Sequence, residues 1–356
     1  MAKPVPPIND PGKLSPTKAS KAATALSIAE RIHASVDALR KVHGQDSIVS
    51  LAKGVVPGAA AQGVISTGSL SIDLAIGIGG IPRGRITEVF GPNSAGKTTL
   101  ALHCIAEAQK SGGTCAFIDA EHALDVRYAQ ALGVKIDDDA LLFSQPSSGE
   151  QALELVEGLA RAGVMLIVVD SVAMLTPQKE VAGDFGDAQM GAHARLMSQA
   201  MRKLISAVAK GGSTLLFLNQ IRMKLGVMYG SPEVTTGGQA LPYAASVRID
   251  VRRRAQVKDG TDAVGNVTDI KIVKNKCAPP FKECSLEIIW GRGFNREGDL
   301  ISAALELGVL SLSGTWFSYG ELRLGQGSHS AAAKLVAEPK LFAEIRKKCL
   351  KEMGIT

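Results

Sequence analysis

Residues 91–98 read GPNSAGKT, which has the form G-x-x-x-x-G-K-T. The glycines let the backbone curl so that its N–H groups face phosphate oxygens, and the start of the following helix adds partial positive charge. In this chemistry Lys97 reaches the β- and γ-phosphates, and the Thr98 hydroxyl coordinates Mg²⁺. The pattern therefore predicts a nucleoside triphosphate site. The residues assigned to it are Gly91, Pro92, Asn93, Ser94, Ala95, Gly96, Lys97, Thr98 and Thr99.

Two carboxylates could complete this chemistry. Asp170 ends the apolar run 166–170, and downstream of a phosphate loop such a residue orders the metal ion, although elsewhere it would be a capping Asp. Glu121 comes just after the apolar run 114–119. A carboxylate in that place could activate water for hydrolysis, or it could be a surface residue that opens a helix.

The elements that must position these groups alternate between strands and helices. Such alternation predicts an α/β fold, a P-loop NTPase core whose mostly parallel sheet is covered by helices. The predicted strands are Ile86–Phe90, Thr114–Asp119, Met165–Asp170 and Ser213–Asn219, followed by a β-rich stretch with Ser246–Val251, Val267–Val273 and Ser285–Ile289. The predicted helices follow Ser148 and span about Ala192–Lys210 and Pro339–Lys351.

Composition and pattern also suggest three parts. Residues 1–59 are predicted to be a mobile leader and a helix over about 21–42, which could pack on its own core or dock on a neighbouring subunit as a polymerisation helix. Residues 60–295 would form the ATPase core. Residues 296–356 would form a small α+β C-terminal domain.

The bulk properties leave the class of partner open. The chain has 356 residues, of which 46% are hydrophobic, and a net charge of +6, which permits a polyanionic partner without requiring one. The five cysteines are scattered, so neither a disulfide framework nor a zinc site is indicated. No apolar run approaches a membrane span and no signal-peptide core begins the chain, so we expect a cytoplasmic protein with no membrane partner.

Two glycine-containing segments, at about 180–191 and 223–241, are predicted to be mobile loops. A loop as long as the second one inside a compact domain is usually functional or disordered. An inert surface insertion is the alternative.

Six runs in this order resemble the bacterial RecA recombinase family. The similarity is dense from about residue 65 to 293 and weaker at both ends. It implies a RecA-like core in a DNA-dependent ATPase, one that forms a filament on single-stranded DNA and exchanges strands with homologous duplex DNA. It also implies stimulation of SOS repressor self-cleavage. The runs are 91–99, 116–125, 168–173, 197–204, 219–224 and 273–276.

The resemblance assigns roles around the nucleotide, with ATP and Mg²⁺ as cofactors. Glu121 matches the carboxylate that activates water, and Gln220 matches the γ-phosphate sensor that couples nucleotide state to the following DNA loop. Asp125 and Tyr128 resemble an adenine-contacting pair.

Other roles lie outside one subunit's own nucleotide site. Lys274 and Lys276 match lysines that reach across the filament interface to the neighbour's ATP, whereas the pattern alone would make them a solvated strand edge. The two loops match the family's DNA loops. By this match Met190 and Leu225 wedge between base triplets, and the backbone-contacting positions are Arg195, Arg202, Arg222, Gly237 and Gly238.

Three other classes compete with this interpretation. A hexameric helicase shares the core but would normally carry a large N-terminal assembly domain. A RadA-like branch-migration protein would carry a four-cysteine zinc motif. An ATP-switched scaffold without turnover is disfavoured because Lys97, Thr98, Glu121 and Asp170 are all present.

Overall fold

The computed structural model describes residues 27–50, 63–184, 191–224 and 232–355. The chain divides into two units, residues 1–57 and 58–356. In the first unit, helix α1 (Ile28–His43) begins with a capping box in which Ser27 and Glu30 bond to each other's backbone N–H groups. The described helix therefore starts at Ile28. The predicted start near residue 21 lies outside the described residues.

The second unit contains most of the regular structure. Its helices are α2 (Leu70–Ile76), α3 (Lys97–Lys110), α4 (Val126–Ala131), α5 (Gly149–Ala162), α6 (Gln178–Val181), α7 (Ala192–Gly211), α8 (Ala240–Ala244), α9 (Arg296–Glu306), α10 (Gly327–Ala337) and α11 (Pro339–Glu352). Its strands are β1 (Val64–Ile65), β2 (Ile81–Pro82), β3 (Ile86–Gly91), β4 (Cys115–Asp119), β5 (Leu141–Ser144), β6 (Leu166–Asp170), β7 (Thr214–Met223), β8 (Glu233–Thr235), β9 (Val247–Asp259), β10 (Asp262–Asn275), β11 (Glu283–Ile289), β12 (Gly293–Phe294), β13 (Ser311–Ser313), β14 (Trp316–Tyr319) and β15 (Leu322–Gln326).

One large sheet organises this unit. Its strands follow the order β12-β11-β10-β9-β3-β7-β6-β4-β5, and β8 pairs with β7. The pairs from β9 to β5 are parallel, whereas β9–β10, β10–β11, β11–β12 and β7–β8 are antiparallel. The predicted α/β core with a mostly parallel sheet is confirmed.

The register brings the ends of four parallel strands to one edge of the sheet. Gly91 at the end of β3 pairs with Gln220 of β7, and Asp119 at the end of β4 pairs with Asp170 of β6. Ligands of open α/β sheets bind at the carboxyl ends of the strands. The phosphate loop and the predicted carboxylates are therefore neighbours because of strand register.

Alternate residues of the central strands fill two cores. Phe117 and Leu216 pack in the cluster that contains α3, whereas Ile118 and Phe217 pack in the cluster that contains α5 and α7. All four side chains are at most 1% exposed. Because a shift of one residue would exchange the two faces, this burial fixes the register and hence the alignment of the strand ends.

The structure contains every predicted strand, and three of them extend well beyond their predicted ends. β7 continues to Met223, and β9 and β10 pair as a long ribbon up to Asp259 and Asp262. Most side chains in the outer part of this ribbon are exposed or half-buried, so hydrophobic pattern did not reveal it. The predicted end of the long helix near Lys210 is confirmed, because α7 ends at Gly211 and the following Gly212 is left-handed (φ 71°).

The two predicted loops are partly regular where they are described. Residues Glu180 and Val181 belong to α6, and within 223–241 the described residues contain β8 and the start of α8. The expectation of loops throughout was therefore wrong for these parts, because backbone pairing with β7 orders β8. Residues 185–190 and 225–231 lie outside the description.

The C-terminal part forms a small mixed module, with the sheet β13-β14-β15 and helices α9, α10 and α11 around one apolar cluster. Asp299 of α9 is 6% exposed and accepts hydrogen bonds from Ser69 Oγ (2.8 Å) and from the N–H groups of Leu70 (2.7 Å) and Ser71 (3.2 Å). It thereby caps the start of α2. Over the described residues, no helix is long and apolar enough to cross a membrane.

Candidate nucleotide and DNA sites

The phosphate loop joins β3 to α3. Gly96 has φ 100°, and a Cβ atom there would lie 2.4 Å from Ile288 Cδ1, so this position needs glycine. No side chain caps the first N–H groups of α3, which begins at Lys97. Open N–H groups at a helix start favour an anion. The loop therefore has the backbone geometry expected of a phosphate cradle.

The Lys97 ammonium lies at the loop itself. Its Nζ donates to the carbonyl oxygens of Gly91 (3.2 Å) and Pro92 (2.7 Å). Burial lowers the pKa of Lys97, and the negative charges of Asp170 and Glu121 oppose this shift. The ammonium is thus bonded to the loop and interacts electrostatically with two carboxylates.

The two residues predicted to bind the metal ion, Thr98 and Asp170, are neighbours in the structure. Thr98 Oγ1 donates to Asp170 Oδ2 at 2.8 Å. Asp170 is 7% exposed, and burial raises its pKa to about 6, with the charges of Glu121 and Asp119 adding to the shift and the Thr98 hydrogen bond opposing it. A carboxylate destabilised in this way is stabilised by a nearby cation.

The turn after β4 places Glu121 beside Asp170. The buried Asp119 carboxylate accepts the N–H groups of Ala123 and Leu124 (3.2 Å each), which folds the chain back after the strand. The N–H groups of Ala120 (2.7 Å) and Glu121 (3.1 Å) donate to the Asp170 carbonyl oxygen. The end of β4 is therefore fastened to the end of β6.

The Glu121 carboxylate is held through one oxygen. Oε1 accepts from Ser171 Oγ (2.5 Å) and from Gln220 Nε2 (2.8 Å). No hydrogen bond of Oε2 is found among the described residues. The arrangement can orient Glu121 while it leaves one oxygen able to accept a proton.

A cavity of about 520 Å³ lies beside these groups, and Asp170 is not among the residues that line it. Sequence reasoning missed the residues on β9, β10 and β11 and after β11, because they follow no motif and reach the site only through sheet pairing. They are Arg253, Asn266, Thr268, Ile288 and Trp290. The other residues that line the cavity are Asn93, Ser94, Ala95, Gly96, Lys97, Thr98, Thr99, Glu121, Tyr128 and Gln220.

The predicted adenine pair divides between two positions. Tyr128 lines the cavity, and its hydroxyl lies 2.9 Å from Thr99 Oγ1. Asp125 does not line it. Its side chain caps α4 by accepting the N–H groups of Arg127 (2.8 Å) and Tyr128 (3.1 Å). Asp125 therefore positions the helix that carries Tyr128.

The two predicted trans-acting lysines lie away from this subunit's own cavity. Lys274 Nζ donates to the carbonyl oxygens of Pro242 (2.6 Å) and Tyr243 (3.0 Å), and Lys276 Nζ donates to that of Tyr243 (3.4 Å). Burial lowers the pKa of Lys274, and the charge of Lys276 adds to the shift. The two ammonium groups therefore form one positive cluster at the end of α8.

Three of the predicted DNA residues, Arg195, Gly237 and Gly238, lie at or against the start of α7. Arg195 and Arg202 are exposed on this helix, and Arg222 is exposed near the end of β7. Gly237 and Gly238 have φ 81° and 75°, and Cβ atoms there would lie 3.0 Å from Val172 Cγ1 and from Ala194 Cβ, respectively. The glycine backbone thus packs tightly beside α7. Met190 and Leu225 lie outside the described residues.

A parallel sheet with a phosphate loop after one strand, a carboxylate at the end of a second and a glutamine on a third defines a P-loop ATPase. Comparison with protein families narrows this class: the model described as "RecA N-terminal domain" matches residues 30–295, and that described as "RecA C-terminal domain" matches residues 298–354.

Curated relatives cover almost the whole chain. A "Protein RecA" of Syntrophobacter fumaroxidans is 53% identical over 322 residues, which is 89% of this chain and 92% of the relative. That of Citrifermentans bemidjiense is 57% identical over 285 residues (80% and 84%), and that of Geobacter sulfurreducens is 53% identical over 326 residues (91% and 95%). The chain belongs to the RecA family. It is a nucleotide-binding, DNA-dependent ATPase and a recombinase that assembles into filaments.

Proposed function

We propose that this chain binds ATP with Mg²⁺, forms a filament on single-stranded DNA and exchanges strands with homologous duplex DNA. The observation that carries the proposal is the convergence of Lys97, Thr98, Glu121, Asp170 and Gln220 at one edge of the sheet. Stimulation of SOS repressor self-cleavage is a further proposed activity that rests on family membership alone. We also propose the three parts 1–59, 60–295 and 296–356 as functional divisions, the last gathering duplex DNA.

The residues present suit ATP and Mg²⁺. The open start of α3 and the Lys97 ammonium provide donors for phosphate oxygens. Thr98 and Asp170 provide the hard oxygen ligands that Mg²⁺ prefers. Within the described ranges no cluster of three or more His, Cys, Asp or Glu could hold a metal ion. This agrees with a Mg²⁺ ion that phosphate oxygens help to hold. The positive charge of that ion would offset negative charge on the phosphates.

The chain's own side chains would then divide the work of hydrolysis. Glu121 accepts the proton of the attacking water at Oε2, because Oε1 is occupied by Ser171 and Gln220. Gln220 bonds to this carboxylate and lies on β7, the strand that leads to the second predicted DNA loop at about 223–241, called the second DNA segment below. Lys274 and Lys276 would act on the neighbour's nucleotide from their cluster at the end of α8.

DNA would be held by its backbone. Arg195, Arg202 and Arg222 supply guanidinium groups, and Gly237 and Gly238 allow main-chain N–H groups to approach phosphates. Met190 and Leu225 would separate base triplets. Contacts of this kind do not distinguish base sequence, so base pairing would supply the specificity of the search.

Steady-state ATP hydrolysis without DNA, with single-stranded DNA and with duplex DNA tests the proposal. We expect strong stimulation by single strands of unrelated sequence, followed by strand exchange between a single strand and its homologous duplex. Equal turnover in all three conditions would contradict the proposal and favour a different P-loop motor.

A further inference from the structure

A buried carboxylate lies beside the phosphate loop but outside the nucleotide cavity. Glu88 of β3 is fully buried and pairs across the sheet with Arg248 of β9 and Phe217 of β7. Its carboxylate accepts from Arg248 Nε at 2.5 Å and from Asn219 Nδ2 at 2.9 Å. A buried charge is tolerated when it is paired and hydrogen-bonded, and both conditions are met. Glu88 therefore anchors Asn219 at the centre of the sheet.

Asn219 uses its full hydrogen-bonding capacity. Besides the bond to Glu88, Nδ2 donates to the carbonyl oxygen of Thr236 at 3.1 Å. Oδ1 accepts from the Thr236 hydroxyl and from the N–H of Gln220 at 2.9 Å. An asparagine side chain offers two donors and two acceptor sites, and all four are satisfied here. Glu88, Asn219 and Thr236 are called the clasp below.

The clasp connects the nucleotide site to the second DNA segment. Gln220 bonds to Glu121 through its side chain, and its carbonyl oxygen accepts the N–H of Thr236 at 3.3 Å. Thr236 is followed by Gly237 and Gly238, which pack against the start of α7. Gln220 is therefore hydrogen-bonded both to the Glu121 carboxylate and to the backbone of Thr236. Asn219 is fully buried, so water does not compete for the hydrogen bonds of its side chain.

We propose that Asn219 and Thr236 are positioning residues that transmit the nucleotide state sensed at Gln220 to the second DNA segment, with the Glu88–Arg248 pair holding Asn219 in place. The inference rests on the proposed function of Gln220 and of that segment. A fastening role alone would stabilise the fold without linking the two ligands. A transmitting role requires a coupling free energy, which is measurable as a ratio of affinities.

The test uses the full chain and compares Thr236→Val, which replaces the hydroxyl with a methyl group, with Thr236→Ser, which keeps the hydroxyl. Fluorescence anisotropy would give the Kd for labelled oligo(dT) in ADP and in ATPγS, and the ratio of the two values measures the coupling. We expect Thr236→Val to reduce the wild-type ratio by about tenfold and Thr236→Ser to retain it.

Thr214→Val is the matched control. Thr214 lies on the same strand as Asn219, is fully buried, and its hydroxyl has no hydrogen-bond partner within the described residues. We expect its ratio to stay at the wild-type value. Thermal unfolding of each variant verifies that the folded state is being compared. The reciprocal measurement is the effect of oligo(dT) on the ratio of the Kd values for ATPγS and ADP. It should lose the same factor in Thr236→Val because linkage is symmetric for binding.

The possible results distinguish failure of this inference from failure of the proposed function. If Thr236→Val keeps the wild-type ratio, even with weaker binding in both nucleotide states, the clasp is only a structural fastening and the inference is wrong. If the wild-type protein itself binds oligo(dT) equally in ADP and ATPγS, the proposed function fails, and the inference fails with it.

Discussion

Carboxylates are buried both at the nucleotide site and at the place where α9 meets the start of α2, which we call the joint. Their acceptor oxygens are occupied differently at the two places. At the joint, Asp299 and Asp73 each accept three hydrogen bonds from protein donors. At the nucleotide site, Asp170 Oδ2 accepts from Thr98, and Glu121 receives both of its bonds on one oxygen. A carboxylate whose acceptor sites are used by the fold is structural, whereas one with acceptor sites left over can serve a ligand or a proton.

Removing Lys97 should produce the largest effect. Lys97→Ala takes away the ammonium that supports the transferring phosphate, so we expect kcat for ATP hydrolysis with single-stranded DNA to fall about 10³-fold. Lys110→Ala is the control, because Lys110 lies on the same helix and its Nζ pairs with Glu107 at the surface. Near-normal turnover in Lys97→Ala would refute the phosphate assignment.

Glu121→Gln tests whether the unshared oxygen does chemistry. The amide keeps an acceptor for Ser171 and Gln220 but is a poor base, so we expect kcat to fall about 10²-fold with little change in the KM for ATP. Glu154→Gln, on the exposed side of α5, should retain wild-type turnover. A larger change in KM than in kcat would mean that Glu121 binds the nucleotide instead.

At the joint, the same kind of change should reduce stability. Asp299→Ala leaves Ser69, Leu70 and Ser71 with buried donors, so we expect the free energy of unfolding in urea to fall by about 3 kcal/mol. Glu306→Ala at the exposed end of the same helix should change it by less than about 0.5 kcal/mol. Equal stability of the two variants would show that the Asp299 hydrogen bonds do not hold the joint.

The smallest effect concerns pH. Burial raises the pKa of Asp73 from 3.8 to about 7, an effect to which the charge of Asp299 adds and which the hydrogen bonds from Ser66 and Thr67 oppose. Between pH 3.8 and about 7, Asp73 holds a proton in the folded chain but has lost it in the unfolded chain. Proton binding therefore stabilises the folded state at low pH, and this stabilisation is lost as pH rises through about 7. We expect the unfolding free energy of wild type, relative to Asp73→Asn, to fall by about 2 kcal/mol from pH 5.5 to pH 8. Parallel pH profiles would contradict the shifted pKa.

The same contrast explains what the sequence could predict. The phosphate loop, Asp170 and the buried strands were predictable because their signals are local: a fixed spacing, or an apolar run that ends in a charge. The resemblance to the RecA family gave Glu121 and Gln220 roles that spacing alone left open. Their hydrogen bonds to each other came only from the structure.

What escaped prediction depends on pairs that are distant in the chain. Asp299 reads as an ordinary acidic residue in the first turn of a helix, yet its partners lie 228 to 230 residues away. Glu88 interrupts an apolar strand, and nothing nearby indicates Arg248 or Asn219. Arg253 on β9 and Trp290 after β11 line the cavity only because sheet pairing brings these distant parts of the chain beside the phosphate loop.

The capping of α2 by Asp299 also has a consequence for synthesis. The ribosome makes residues 69–71 long before residue 299, so the amide groups at the start of α2 have no native acceptor until nearly the whole chain has emerged. Contacts of such large sequence separation form late because loop closure precedes any gain in energy. The start of α2 therefore gains these acceptors only after α9 has been made, and a nascent chain released before α9 would lack them.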